Sequence, residues 1–194
     1  MKAIMISIQP KWVKKILMGE KTIEIRKTMP KCELPIDVYI YCTKSQGKKN
    51  YLSMIKTDLS NDAKYEDTLN GKVVAKFTLN KVEEIGCYYD DDMRTTVFFT
   101  DDCGDAGLLK RSCLTEEQIA DYFADKEDNV VGYAWHIEDL FIFFKPKELS
   151  EFYTIHLDKT IPELFDNSTQ LPNGVWVKPL TKPFQSWGYI EVWH

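Results

Sequence analysis

Long apolar runs are missing from this sequence. The longest, such as LFIFF at residues 140–144, are far too short to cross a bilayer as a helix. The first residues, MKAIMISIQP, lack a secretory hydrophobic core ending in a small-residue cleavage site. A cytoplasmic location with no membrane partner is the resulting expectation. Histidine is scarce, with three residues scattered at His136, His156 and His194, and the five cysteines include no CxxC pair. Closely paired ligands announce a structural zinc site, so no metal and no other cofactor is expected, and the thiols read as reduced and mostly buried. No GxGxxG or GxxxxGK[ST] occurs, which argues against dinucleotide and P-loop enzymes. The acidic runs DDD at 90–92 and DDCGD at 101–105 do not have the spacing of an EF-hand loop. There are no repeats, no low-complexity tracts and no linker composition, so residues 1–194 read as a single domain with insertions near 88–112 and 157–182.

What is present is a globular composition, 44% hydrophobic and 28% charged, with an uneven charge distribution. Residues 1–56 hold 12 Lys/Arg against four acids, a net of +8 within a chain of net −5. The remainder is acidic, at −13. A basic end on an acidic chain attracts polyanions locally unless folding interleaves the two.

The hydrophobic pattern begins with an apolar strand, AIMISI at 3–8. Pro10 suits the first turn of a helix, in which Trp12, Val13, Ile16 and Leu17 share one face and Lys11, Lys14 and Lys15 the other. Gly19 stands where a C-cap belongs. The stretch TIEIR then alternates, sending Ile23 and Ile25 to one side and Thr22, Glu24 and Arg26 to the other. IDVYIYC at 36–42 predicts another strand, YLSMIKTDL a short helix, and KVVAKFTLNKVEEI one long strand. Residues 88–112 read as a loop-rich insertion. Thr115 and Gln118 have the capping-box spacing and predict a helix over 116–124. GYAWHIEDLFIFF at 132–144 predicts a strand bent near Glu138–Asp139, with Trp135 inside and His136 undecided, and FQSWGYIEVW at 184–193 predicts a closing strand. The total is about six strands with two or three helices, a mixed α+β class built as a small barrel.

The segment SIQPKWVKKILMGEKTIEIRK resembles the N-terminal signature of ASCH domains (activating-signal-cointegrator homology), members of the PUA-like superfamily. Its hallmark GxKxxExR is matched by Gly19, Lys21, Glu24 and Arg26. VYIYCTK, CLTEEQIADYF, GYAWHIEDLFIFFKPKELSEFY and FQSWGYIEV are similar to the blocks of a bacterial and phage-associated branch. The resemblance implies a PUA-like β-barrel whose openings are covered by helices. It also implies a charged cleft that binds RNA or a nucleotide-like molecule. On that reading Lys21, Glu24 and Arg26 line the cleft, with Arg26 and Lys21 suited to phosphate and Glu24 to a base amino group. Trp187 offers a stacking platform, Gln185 and Ser186 neutral hydrogen bonds, Lys11 a phosphate contact, and Thr43 and Lys44 a border of the opening. Some relatives are amidohydrolases of N4-acetylcytidine that use a lysine, a threonine and a glutamate, and others are linked to ribonuclease activity. Lys21 matches the lysine and would act with Glu24 as the acid–base pair of an enzyme, but Glu24 occupies the threonine's position. His136 is a reserve acid–base group.

Overall fold

The computed structural model describes residues 1–44, 51–58, 63–90, 95–100, 104–123, 130–156, 169–170 and 176–192. The helices are α1 (Pro10–Leu17), α2 (Gly104–Ser112) and α3 (Glu116–Phe123), with a 3-10 turn at Leu149–Glu151. The first seven strands are β1 (Lys2–Ile8), β2 (Ile23–Arg26), β3 (Ile36–Cys42), β4 (Ser53–Asp58), β5 (Ala63–Thr68), β6 (Val73–Leu79) and β7 (Val82–Asp90). The other seven are β8 (Thr95–Phe99), β9 (Val130–His136), β10 (Glu138–Lys147), β11 (Tyr153–His156), β12 (Thr169–Gln170), β13 (Trp176–Pro179) and β14 (Trp187–Glu191). None of the described helices is long and apolar enough to cross a membrane. The class is mostly β with three α-helices among the described residues.

Residue contacts divide the chain into two compact units. The first comprises residues 1–14, 37–77 and 140–194, and the second 15–36 and 78–139. The first unit is built on an eight-stranded sheet of order β10-β6-β3-β1-β14-β11-β13-β12. β1 runs parallel to β3 and antiparallel to β14, with Ile6 opposite Ile40 on one side and Trp187 on the other. Ile4, Met5, Ile6, Val38, Tyr39 and Ile40 are all buried, so both faces of β1 and β3 are covered. That burial is why AIMISI reads as a continuous apolar run rather than an alternation. The core of this unit gathers Met5, Tyr39, Val73, Phe143, Phe152 and Ile190. Tyr39 meets Phe152 edge-on at 5.1 Å between ring centroids. β4 and β5 pair with each other as a separate hairpin.

The second unit is a four-stranded sheet of order β2-β9-β7-β8 with α2 and α3. Its core is Ile23, Ile25, Ile85, Leu108, Ile119, Phe123 and Ala134. Thr115 and Gln118 form the predicted reciprocal cap of α3, each side chain accepting from the other's backbone N–H at 3.2 Å. Phe123, in the last turn of α3, packs onto the bare backbone of Gly132 in β9, where an added Cβ would stand 2.1 Å from its ring.

Several expectations are corrected. The barrel of about six strands is replaced by more numerous strands in sheets that have two ends; among the described residues no ring closes, as closure needs the first and last strands of an order to pair. The predicted strand over 72–85 breaks at Asn80 and Lys81 into β6 and β7, which join different sheets. The strand over 132–144 breaks at Ile137, beside Asp139, whose φ of 46° is left-handed. Within YLSMIKTDL, Ser53–Asp58 form strand β4, stabilised by pairing with β5 that a local reading does not see. The 88–112 segment is not loop-rich, since it carries β8 and the whole of α2. Most of 157–182 lies outside the described residues.

Candidate functional site

Lys21, Glu24 and Arg26 come together in the second unit. α1 ends at Leu17, and Gly19 (φ 74°) reverses the chain with its N–H on the Ile16 carbonyl at 2.9 Å. The N–H groups of Glu20 and Lys21 both donate to the Lys15 carbonyl, at 2.9 and 3.1 Å. This turn holds Lys21 outside the strand, which begins only at Ile23. Lys21 is therefore not bound by the alternation of β2. Its Nζ lies 3.2 Å from Glu24 Oε2 and donates to the Ser112 carbonyl at 2.7 Å. That carbonyl ends α2, where the helix dipole favours a cation. Arg26 Nη2 lies 3.0 Å from the other oxygen, Glu24 Oε1. One carboxylate thus bridges two cations, and the three residues are only 2%, 8% and 8% exposed.

The expected division of faces holds for β2 itself. Ile23 and Ile25 enter the core with α2 and α3, while Glu24 stands opposite Trp135 and Arg26 opposite Tyr133 in the register with β9. It fails at Thr22, which precedes the strand. Thr22 donates its N–H to the Arg111 carbonyl and accepts from Ile137 N–H on its own carbonyl, at 2.9 and 3.0 Å. Its hydroxyl accepts from Arg111 Nε at 3.2 Å. Thr22 is thereby turned to the end of α2 rather than to the side of Glu24.

Arg111 extends this arrangement. Its Nη2 lies 3.2 Å from His136 Nδ1, and His136 Nε2 lies 3.2 Å from Glu83 Oε1, which also pairs with Lys81 at 2.8 Å. A guanidinium only donates, so His136 Nδ1 accepts and the ring proton sits on Nε2, facing the Glu83 carboxylate. Trp135 is buried, as expected, and His136 is buried as well, on the face of Ile23 and Ala134. Sequence reasoning had not singled out Arg111, Ser112 or Glu83. The usable signal was the KRS run closing α2, since basic residues gather in the last turn of a helix.

The other predicted residues belong to the first unit. Lys11 is exposed at the start of α1, its ammonium 4.6 Å from the centre of the Trp12 ring. Thr43 and Lys44 follow β3 and line a pocket of about 670 Å³. Gln185 is exposed, Ser186 is half-buried and its carbonyl accepts from Ser7 N–H at 2.9 Å. Trp187 opens β14 half-buried, its ring perpendicular to that of Tyr189 at 5.7 Å. No group of three or more metal-ligating side chains occurs among the described residues.

No protein-family model and no curated protein matches this sequence. Among solved structures, the chain is similar to the crystal structure of ASCH from Zymomonas mobilis, at 19% identity and a TM-score of 0.46, covering 76% of this chain and 73% of that one. It is also similar to a mutant of the ASCH protein from Zymomonas mobilis, at 19% identity and a TM-score of 0.43, with 76% of each chain covered. Identity at this level carries no residue roles from one chain to the other.

Proposed function

We propose that this is a cytoplasmic RNA- or nucleotide-binding protein of the ASCH, PUA-like type, which holds its ligand at a charged cleft formed around Lys21, Glu24 and Arg26. The observation that carries the reading is the burial of two cations on one carboxylate. Desolvating three ionised groups costs several kcal/mol each, and apolar residues of similar size would stabilise the unit as well or better. On this reading the cost is met by ligand binding. Arg26 carries the planar fork suited to phosphate, and Glu24 pairs with one of its nitrogens.

Fluorescence anisotropy with short unstructured RNAs, at low and moderate salt, tests this. Binding should weaken as salt rises and be lost in Lys21→Ala and in Arg26→Ala. Binding that survives both substitutions would leave the cluster as a clamp on the end of α2 and would end the proposal.

Two enzymatic readings are less well supported. An N4-acetylcytidine amidohydrolase needs a hydroxyl that a lysine can activate. Here the lysine's amine is engaged by the Ser112 carbonyl and Glu24, and the neighbouring hydroxyl of Thr22 faces Arg111. A ribonuclease would use Lys21 and Glu24 as acid and base, a pair that here holds its own ion bridge.

A further inference from the structure

The first unit holds a pocket of about 670 Å³. Its walls come from four places far apart in sequence: the residues after β3, the turn before β6, the 3-10 turn, and the segment after β13. Lys44 rises from one wall and Lys182 from another, and both are exposed. Neither makes an ion pair among the described residues. The carboxylate in the lining, Glu148, is paired with Lys72. The pocket therefore presents two uncompensated ammonium groups. Thr43, Ser150 and Thr181 add hydroxyls to the lining, which also includes the buried Tyr41 and Leu180.

Lys44 is also held in place. The stem of its side chain lies on Gly71, which has a φ of 80°, and a Cβ there would stand 3.0 Å from Lys44 Cε and 3.1 Å from its Cγ. The Gly71 N–H donates to the Cys42 carbonyl at 2.7 Å, tying this turn to the end of β3. A glycine is needed here for both the backbone and the passage of the lysine.

We propose that this pocket is a ligand site in its own right and takes a phosphorylated small molecule. Lys44 and Lys182 bind the phosphate, and the organic body rests against Tyr41 and Leu180. Two compact, separately mounted ammonium groups match a dianion better than a single carboxylate, and the hydroxyls serve the remaining phosphate oxygens. The volume falls within the roughly 300–1,000 Å³ of small-molecule sites, well beyond the needs of a bare ion. The site does not depend on the reading of Lys21, Glu24 and Arg26.

The test is a titration of the full chain with 5′-CMP, cytidine and inorganic phosphate, followed by calorimetry and by backbone amide shifts. Shifts should concentrate at residues 43–44 and 181–182. CMP should bind more tightly than phosphate, and cytidine most weakly. The double variant Lys44→Gln/Lys182→Gln should weaken CMP about tenfold or more. Gly71→Ala, which displaces the lysine stem, should weaken it too. Lys14→Gln, at an exposed lysine outside the pocket, should leave CMP binding unchanged. Equal affinity for CMP and cytidine, CMP binding unaltered by the double variant, or no binding at all would overturn the proposal. CMP-induced shifts confined to residues 21–26 would move the nucleotide to the second unit and overturn it equally, whereas failure of the RNA test at Lys21 would not touch it.

Discussion

Lys21 and Glu24 form a buried ion pair of 3.2 Å although alternation along a strand would set them on opposite sides. They meet because β2 begins at Ile23 and the turn after Gly19 keeps Lys21 outside the strand's alternation. Arg26 sits on the second carboxylate oxygen, so Glu24 pairs with both cations.

Replacing Glu24 should therefore be costly. Glu24→Gln removes the charge of a carboxylate that pairs with two buried cations and is expected to lower stability by about 3–5 kcal/mol, read from urea unfolding. The triple variant Lys21→Met/Glu24→Leu/Arg26→Met should lose less than Glu24→Gln alone. A loss near zero for Glu24→Gln would mean that the cations are solvated.

His136 should carry its ring proton on Nε2. Arg111 Nη2, 3.2 Å from Nδ1, can only donate. Long-range 1H–15N correlation at neutral pH should give Nδ1 the shift of an unprotonated ring nitrogen. In Arg111→Gln that constraint is relaxed, because a glutamine amide accepts as well as donates. A protonated Nδ1 in the native chain would contradict the arrangement.

Cys42 is wholly buried, and burial pushes its thiol from 9.0 up to about 12. The folded chain thus keeps this proton after the unfolded chain has lost it. The group's stabilisation is complete below pH 9 and falls by about 1.4 kcal/mol per pH unit as pH rises from about 9 to about 12. Cys42→Ala should flatten the stability–pH curve in that window. Mass spectrometry after iodoacetamide treatment at pH 8 should find Cys42 modified only in denaturant. Rapid modification in the native chain would place the thiol in water.

Gly132 should tolerate no side chain while Phe123 covers it. A Cβ at 2.1 Å from the ring must push the end of α3 away, so Gly132→Ala should cost about 1–3 kcal/mol. Phe123→Leu in the same chain should recover part of that loss. Strictly additive losses in urea unfolding would deny the contact.

The local grammar is written in the order of the residues. Strand β1, a helix opened by Pro10 and closed at Gly19, the alternating β2, the limits of β3 and the Thr115–Gln118 cap were all legible. Each rests on interactions within a few residues, namely side-chain period, glycine conformation and capping geometry. The tertiary structure decided the partners. Pairing with β5 made a strand of a segment that reads as a helix, and different partner strands split 72–85 at Asn80–Lys81. Lys21, Glu24 and Arg26 were chosen from the motif resemblance, yet Ser112, Arg111, His136 and Glu83 reach their neighbourhood only through α2, β7 and β9. Long-range hydrogen bonds and the exclusion of water from both faces of a sheet leave no mark at the period of a single strand, so those decisions belong to the folded chain.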